Sequence, residues 1–215
     1  MISTYEVSPL PSLPLAKSFY DQPTLELAQS LLGKVLVKET AEGLTSGIIV
    51  ETEGYLGLSD RACHSYGLRR TKRTEVMYGP PGHTYTYVMH NHCLMNIVSA
   101  PIDAPEAVLI RAIEPLQGLN IMFNRRGEKK KVTELTNGPG KLTQAMAINN
   151  SDYGRSLFLC KDFETSYEGA LYLIDGIRQG DITSGPRIGI DNYGEAKDYP
   201  WRFWVKGNPF VSKAR

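Results

Sequence analysis

The chain has little cysteine, no long apolar run and almost no net charge, and each shortage removes a class of protein. Cys63, Cys93 and Cys160 are odd in number and far apart, with no C-x-x-C pair among them. That spacing excludes a disulfide framework and a thiolate zinc site, and leaves three small apolar side chains. The longest apolar runs, such as Ile48–Val50 and Ala107–Ile110, are far too short to cross a bilayer. Met1–Leu15 carries neither a basic start nor a continuous apolar stretch, so no secretory signal and no membrane partner are expected, and a cytoplasmic location follows. Repeats, low-complexity tracts and long linkers are also missing, which leaves one domain. A formal charge of +1 speaks against a nucleic-acid partner if only the sum is counted.

What is present is a chain of 215 residues, 41% hydrophobic and 22% charged, long enough for a single sizeable core. Its positive charge is clustered. Arg61, Arg69, Arg70, Lys72 and Arg73 form a stretch with no acid among them, and Arg125, Arg126, Lys129, Lys130 and Lys131 form another offset only by Glu128. Two solvated loops would account for both, and the first gains weight only from its neighbours. Pro9, Pro11 and Pro14 make residues 1–18 an extended arm ahead of a domain over 19–215. Asp21 and Pro23 suit a helix start, Leu25, Ala28, Leu31 and Leu32 supply its apolar stripe, and Gly33 ends it. Strand patterns then dominate, over Lys34–Lys38, Gly47–Tyr55, Thr84–His92, Leu94–Ser99, Val108–Ile113, Arg187–Ile190 and Arg202–Val205. Shorter helices fit near Pro115–Phe123 and Leu142–Ile148. Strands outnumber helices without alternating with them. The expected class is therefore α+β, a curved and mostly antiparallel sheet with flanking helices.

The segment Gly47–Tyr55 starts apolar and ends in two acids, a glycine and a tyrosine. Alternation puts Glu51, Glu53 and Tyr55 on one face, with Val50 and Thr52 opposite. A carboxylate that follows a buried apolar run is a candidate general base, although ordinary surface acids at a strand end fit the pattern as well. His64 follows closely, within Asp60–Ser65. In His83–Asn96, alternation groups Tyr85, Tyr87 and Met89 against Thr86, Val88, His90 and His92. The tyrosines suit either sheet packing or a stacking surface for a flat base. His90 and His92, with Glu51 or Glu53, would make a weak metal-binding pattern. Gly138-Pro139-Gly140-Lys141 and Ser184-Gly185-Pro186-Arg187 are two Gly-Pro-basic turns, the first opening a helix, that would suit a sugar–phosphate backbone.

Together these segments resemble the alkyladenine (3-methyladenine, methylpurine) DNA glycosylase family, in order, from about Phe19 to Ser212. The pieces that carry the resemblance are Leu27–Val37, Ile49–Gly57, Asp60–Ser65, Pro80–Val88 and Met95–Ile97, then Val108–Gly118, Asn137–Ile148, Pro186–Ile190 and Trp201–Ser212. The resemblance implies a single domain with a DNA-inserting β-hairpin, needing neither metal nor cofactor, acting as a monomer on duplex DNA that holds a damaged purine. It implies Glu53 as the base that activates water and Arg111 as an arginine that helps hold the water and phosphate near the sugar. Tyr55, His64 and Tyr87 fall at positions that contact the flipped base, and Asn96 at the one that rejects a 2-amino group. Arg69, Arg73, Lys141 and Arg187 are then candidate contacts to the DNA backbone.

The chemistry suits these residue types. A base inside a duplex must rotate out before its sugar can be attacked, at a cost of a few kcal/mol. Stacking on aromatic faces recovers about 1–3 kcal/mol per ring. No lysine nucleophile is evident, so an abasic site without strand cleavage is the expected product. The chain departs from the family in Val88–Cys93, one residue short before Asn96, so that the wedge that fills the vacated stack is Met89 or His90. A metal-dependent hydrolase on His90 and His92, and a lesion-binding module without catalysis, are the competing readings.

Overall fold

A computed structural model describes residues 13–158, 169–176 and 180–212. Residues 1–12 of the expected arm and Cys160 lie outside these. The strands are β1 Val35–Thr40, β2 Gly43–Tyr55, β3 Thr84–Met89, β4 His92–Ser99, β5 Glu106–Gln117, β6 Leu171–Ile174, β7 Ile182–Gly185 and β8 Arg202–Val205. The α-helices are α1 Thr24–Ser30, α2 Leu119–Arg126 and α3 Pro139–Met146. One antiparallel sheet runs in the order β3-β4-β5-β2-β1-β6, with β8 added against β2 and β7 against β8. The class is α+β, as expected.

β2 is the hub. Its first half pairs with β1, from Thr40↔Gly43 to Val35↔Ile48, and its end pairs with β8 over Glu51–Glu53. On its other edge it follows β5 from Ser46 to Tyr55, with register shifts between Ser46 and Gly47 and again between Ile49 and Thr52. Such bulges bend a sheet and re-aim side chains. The bend falls on the segment that carries Glu51 and Glu53.

Alternation along β2 divides the core. Ile49 packs with Leu27, Leu31, Ile110, Met122 and Leu142 beneath the helices, whereas Ile48 and Val50 join Val35, Val37, Val205 and Phe210 on the opposite face. Each buried aliphatic side chain contributes about 1.5–3 kcal/mol relative to exposure, so a one-residue slip of β2 would forfeit both layers.

Several expected boundaries move. β5 runs on to Gln117, and α2 starts only after Gly118, whose φ of +74° makes the turn. A Cβ at Gly118 would lie 2.5 Å from the carbonyl oxygen of Leu44, so the turn needs glycine. The stretch Thr84–His92 is not one strand. β3 stops at Met89, and His90 and Asn91, at φ +49° and +63°, form a two-residue turn into β4. Left-handed conformation at both central positions is the type I′ pattern of a tight hairpin. Arg187–Ile190 is irregular, and β6 and β7 have no counterpart among the expected strands.

Candidate active site

The end of β2 delivers Glu53 to the centre of the molecule, where it has no exposed surface. Burying a carboxylate is costly unless donors surround it. Three do. The Tyr55 hydroxyl donates to Oε2 at 2.9 Å and the Ile188 backbone N–H to Oε1 at 2.7 Å. The Arg111 guanidinium, from β5, stands 3.2 Å from Oε2. Arg111 is 6% exposed, and its Nε also donates to Glu51 at 3.1 Å, so it bridges the two acids. These charges hold its guanidinium above its ordinary range, although burial works the other way.

All three partners of Glu53 line a cavity of about 460 Å³. The volume suits a small flat ligand. Its walls are Tyr55, Ala62, Cys63, His64, Tyr85, Tyr87 and Asn96, with Met77, Leu94, Ala107 and Leu109 as apolar lining and Met89, His90 and Tyr193 contributing further. His64 stands edge-on to Tyr87, ring centroids 4.6 Å apart, and its Nδ1 lies 2.7 Å from the Tyr85 hydroxyl. Burial first, then the nearby Arg73 and Arg69, push its pKa down to about 4. The ring is therefore neutral at pH 7. Burial lifts the Tyr87 hydroxyl to about 12, with Glu53 adding to it, and lifts Tyr55 well above its ordinary range for the same two reasons. Both phenols stay protonated and can donate. Asn96, on β4, is 4% exposed and anchors its amide nitrogen on the Tyr85 carbonyl at 3.1 Å.

The structure thus gathers Arg111, Tyr55, His64, Tyr87 and Asn96 around one cavity, from positions scattered along the chain, with Glu53 held behind its wall by Tyr55, Arg111 and the Ile188 N–H. Met89, 44% exposed, and the exposed His90 sit where the hairpin turns. Arg69 and Arg73 are exposed on the loop beyond His64 and have no ion pair with a described residue. Lys141 reaches back to the Asn137 side chain at 2.7 Å in the first turn of α3.

Arg187 is a correction. A DNA-facing arginine must be accessible, but its side chain has no exposed surface and pairs with Asp60 at 2.6 and 2.8 Å. His90 and His92 do not come together with Glu51 or Glu53, and no group of three His, Cys, Asp or Glu side chains able to hold an ion occurs among the described residues. The turn at His90-Asn91 breaks the alternation that would align His90 with His92, and Glu51 is already engaged by Arg111, Arg202 and Ser212. Sequence reasoning missed Tyr85 as the partner of His64, although alternation placed it beside Tyr87. It also missed the Ile188 N–H, for which no side-chain pattern gives a signal.

A curved antiparallel sheet thus walls an aromatic cavity backed by a carboxylate and an arginine. The chain belongs to the methylpurine-DNA glycosylase family, whose model matches residues 18–209. It is 58% identical over 200 residues to a Bacillus licheniformis protein, covering 93% of this chain and 97% of that one. Proteins of Oceanobacillus iheyensis and Bacillus subtilis are 56% and 55% identical, over 93% of this chain and 96% and 97% of theirs. All three bear the name "putative 3-methyladenine DNA glycosylase". No helix among the described residues is long and apolar enough to cross a membrane.

Proposed function

We propose that the protein is a monofunctional glycosylase of base excision repair. It rotates a damaged purine (alkylated, deaminated or etheno-bridged) out of duplex DNA into the cavity and hydrolyses the N-glycosidic bond with a water activated by Glu53. One observation carries this reading: every group that holds Glu53 is also part of the cavity wall. A carboxylate so held lies next to whatever fills the cavity.

The base stacks against Tyr55, His64 and Tyr87, and Asn96 rejects a purine with a 2-amino group. As the bond from C1′ to the base nitrogen breaks, its electron pair leaves with the purine and the sugar gains oxocarbenium character. The Glu53 carboxylate stabilises that charge and takes a proton from the water whose oxygen bonds to C1′, with Arg111 orienting that water. An abasic site remains. Met89, apolar and exposed beside the hairpin turn, suits the wedge better than His90, which lies in the turn itself. Arg69, Arg73 and Lys141 hold the phosphates, and the protein works as a monomer.

Single-turnover base release from DNA with one lesion tests this. Glu53→Gln should slow release by about 10³-fold, within the range of a lost general base, and leave DNA binding nearly unchanged. Wild-type release by that variant overturns the assignment.

A further inference from the structure

Asp60 and Arg187 take no part in these steps and neither lines the cavity, yet both side chains are wholly buried. Burying an ion pair is poor evidence for stability, because the desolvation of two charges offsets their attraction. Arg187 also leaves its Nε without a hydrogen-bond partner among the described residues. What the pair touches explains its placement. Arg187 Nη1 donates to the carbonyl of Gly54 at 2.9 Å, and Nη2 donates to that of Ala196 at 3.3 Å. Its guanidinium lies 4.6 Å from the ring centre of Tyr55 and 5.0 Å from that of Trp201. Asp60 accepts from the backbone N–H groups of Leu56, at 3.2 Å, and Ala62, at 3.0 Å. The residue after Arg187 is Ile188, whose N–H donates to Glu53.

We propose that Asp60 and Arg187 form a clamp of positioning residues that joins three walls of the cavity. It fixes the plane of the Tyr55 ring, the turn through Ala62 that leads to His64, and the Ile188 N–H that orients Glu53. The inference rests on the assignment of Glu53 as the base. Lysine cannot replace the arginine, because a single ammonium provides neither the two-pronged pairing nor the flat face between the rings.

The test compares Arg187→Lys, Asp60→Asn and their double variant. It measures the single-turnover rate at saturating enzyme and the Kd for DNA carrying an abasic-site analogue. Each single substitution should slow base release by about 10–100-fold, as a displacement near 1 Å does, with Kd little changed. The double variant should be no slower than the slower single one, since both act on one device. A merely structural pair would lower the folded fraction and leave the rate per bound complex unchanged, and that result overturns the clamp. Losses that multiply in the double variant also overturn it. Should Arg187→Lys fail to fold, Trp201→Leu removes one stacking face and keeps the ion pair. The lost cation–π contact should slow release by about threefold at unchanged Kd, and an unchanged rate there counts against the clamp. Glu53→Gln is run in parallel. If it stays active, the assignment of the base has failed. If it is inactive while the clamp variants run at wild-type speed, only the clamp has failed.

Discussion

Glu51 and Glu53 lie two residues apart on β2, and neither has any exposed surface, but their surroundings differ. Glu51 accepts from Arg111 Nε, Arg202 Nε, the Ser212 hydroxyl and the Ser212 N–H, at 2.7 to 3.1 Å. Three of these donors converge on Oε1 and the fourth on Oε2, so Glu51 is committed to the framework of the fold. Of its partners only Arg111 reaches the cavity. Glu53 accepts two hydrogen bonds beside its Arg111 contact, and every one of its partners faces the cavity. Burial and residue type are shared by the two acids. Their partners separate a carboxylate that ties β2, β5 and β8 to the Ser212 segment from one placed for chemistry.

Paired substitutions would break or sharpen that contrast. Glu51→Gln leaves the guanidinium groups of Arg111 and Arg202 buried with no carboxylate between them, which costs about 3–5 kcal/mol. At roughly 2–4 °C per kcal/mol for a chain of this size, the melting temperature should fall by about 10 °C. The surviving folded molecules should still release base, slowed because Arg111 loses one anchor. Glu53→Gln should do the reverse, with a melting temperature close to wild type and base release lost. Calorimetry and single-turnover assays on both variants decide the matter. If Glu51→Gln is the stable and inactive one, the roles are exchanged.

The basic clusters present a similar contrast at smaller scale. In the second cluster, Arg125 is bound to Glu42, Thr40 and the Ala145 carbonyl, and Arg126 to Gln144 and the Leu135 carbonyl. In the first, Arg70 is held by Glu75 and Asp103, but Arg69 and Arg73 have no such pairing with a described residue. Charges already committed within the protein have less to offer a phosphate. Arg69→Ser and Arg73→Ser should each reduce the slope of log K against log salt by about 1 for duplex DNA. The corresponding change at Arg125, already held by Glu42, should leave the slope alone, and an equal effect there would erase the distinction.

The readable parts of the chain are those where local pattern and tertiary role agree. The stripe of Leu27, Ala28 and Leu31 announces α1, and the run Ile48–Val50 announces the centre of β2, because each side chain enters the layer its period predicts. The pattern at Arg187–Ile190 predicts a strand instead of the observed loop, since its alternating apolar residues serve the cavity wall and its Ile188 N–H serves Glu53. Arg187 itself follows a Gly-Pro turn and reads as exposed. What buries it is Asp60, 127 positions away, a distance no local pattern spans. Glu53, Tyr55, His64 and Tyr87 are legible through the family resemblance, and alternation alone leaves Glu51 and Glu53 equivalent.

The smallest expected effect concerns His64, the neutral counterpart of the charged groups above. Its pKa in the folded protein is pushed down to about 4, below the ordinary histidine value of 6.5. Between those limits the unfolded chain binds a proton that the folded one does not, so stability must fall as pH drops through that window and level off below it. Above pH 6.5 both states hold the ring neutral and its contribution is complete. The cause is burial against Tyr85 and Tyr87 with Arg69 and Arg73 nearby, so acid both strains the cavity wall and charges the ring that the base would stack on. His64→Gln removes the titrating group. Urea titrations at pH 7.5, 5.5 and 4.5 should show wild type losing more stability than the variant across the two lower values, by a part of the roughly 1.4 kcal/mol that one pKa unit represents. Parallel curves for the two proteins would mean that His64 protonates freely in the fold and that its place against the two tyrosines is looser than the 2.7 Å contact implies.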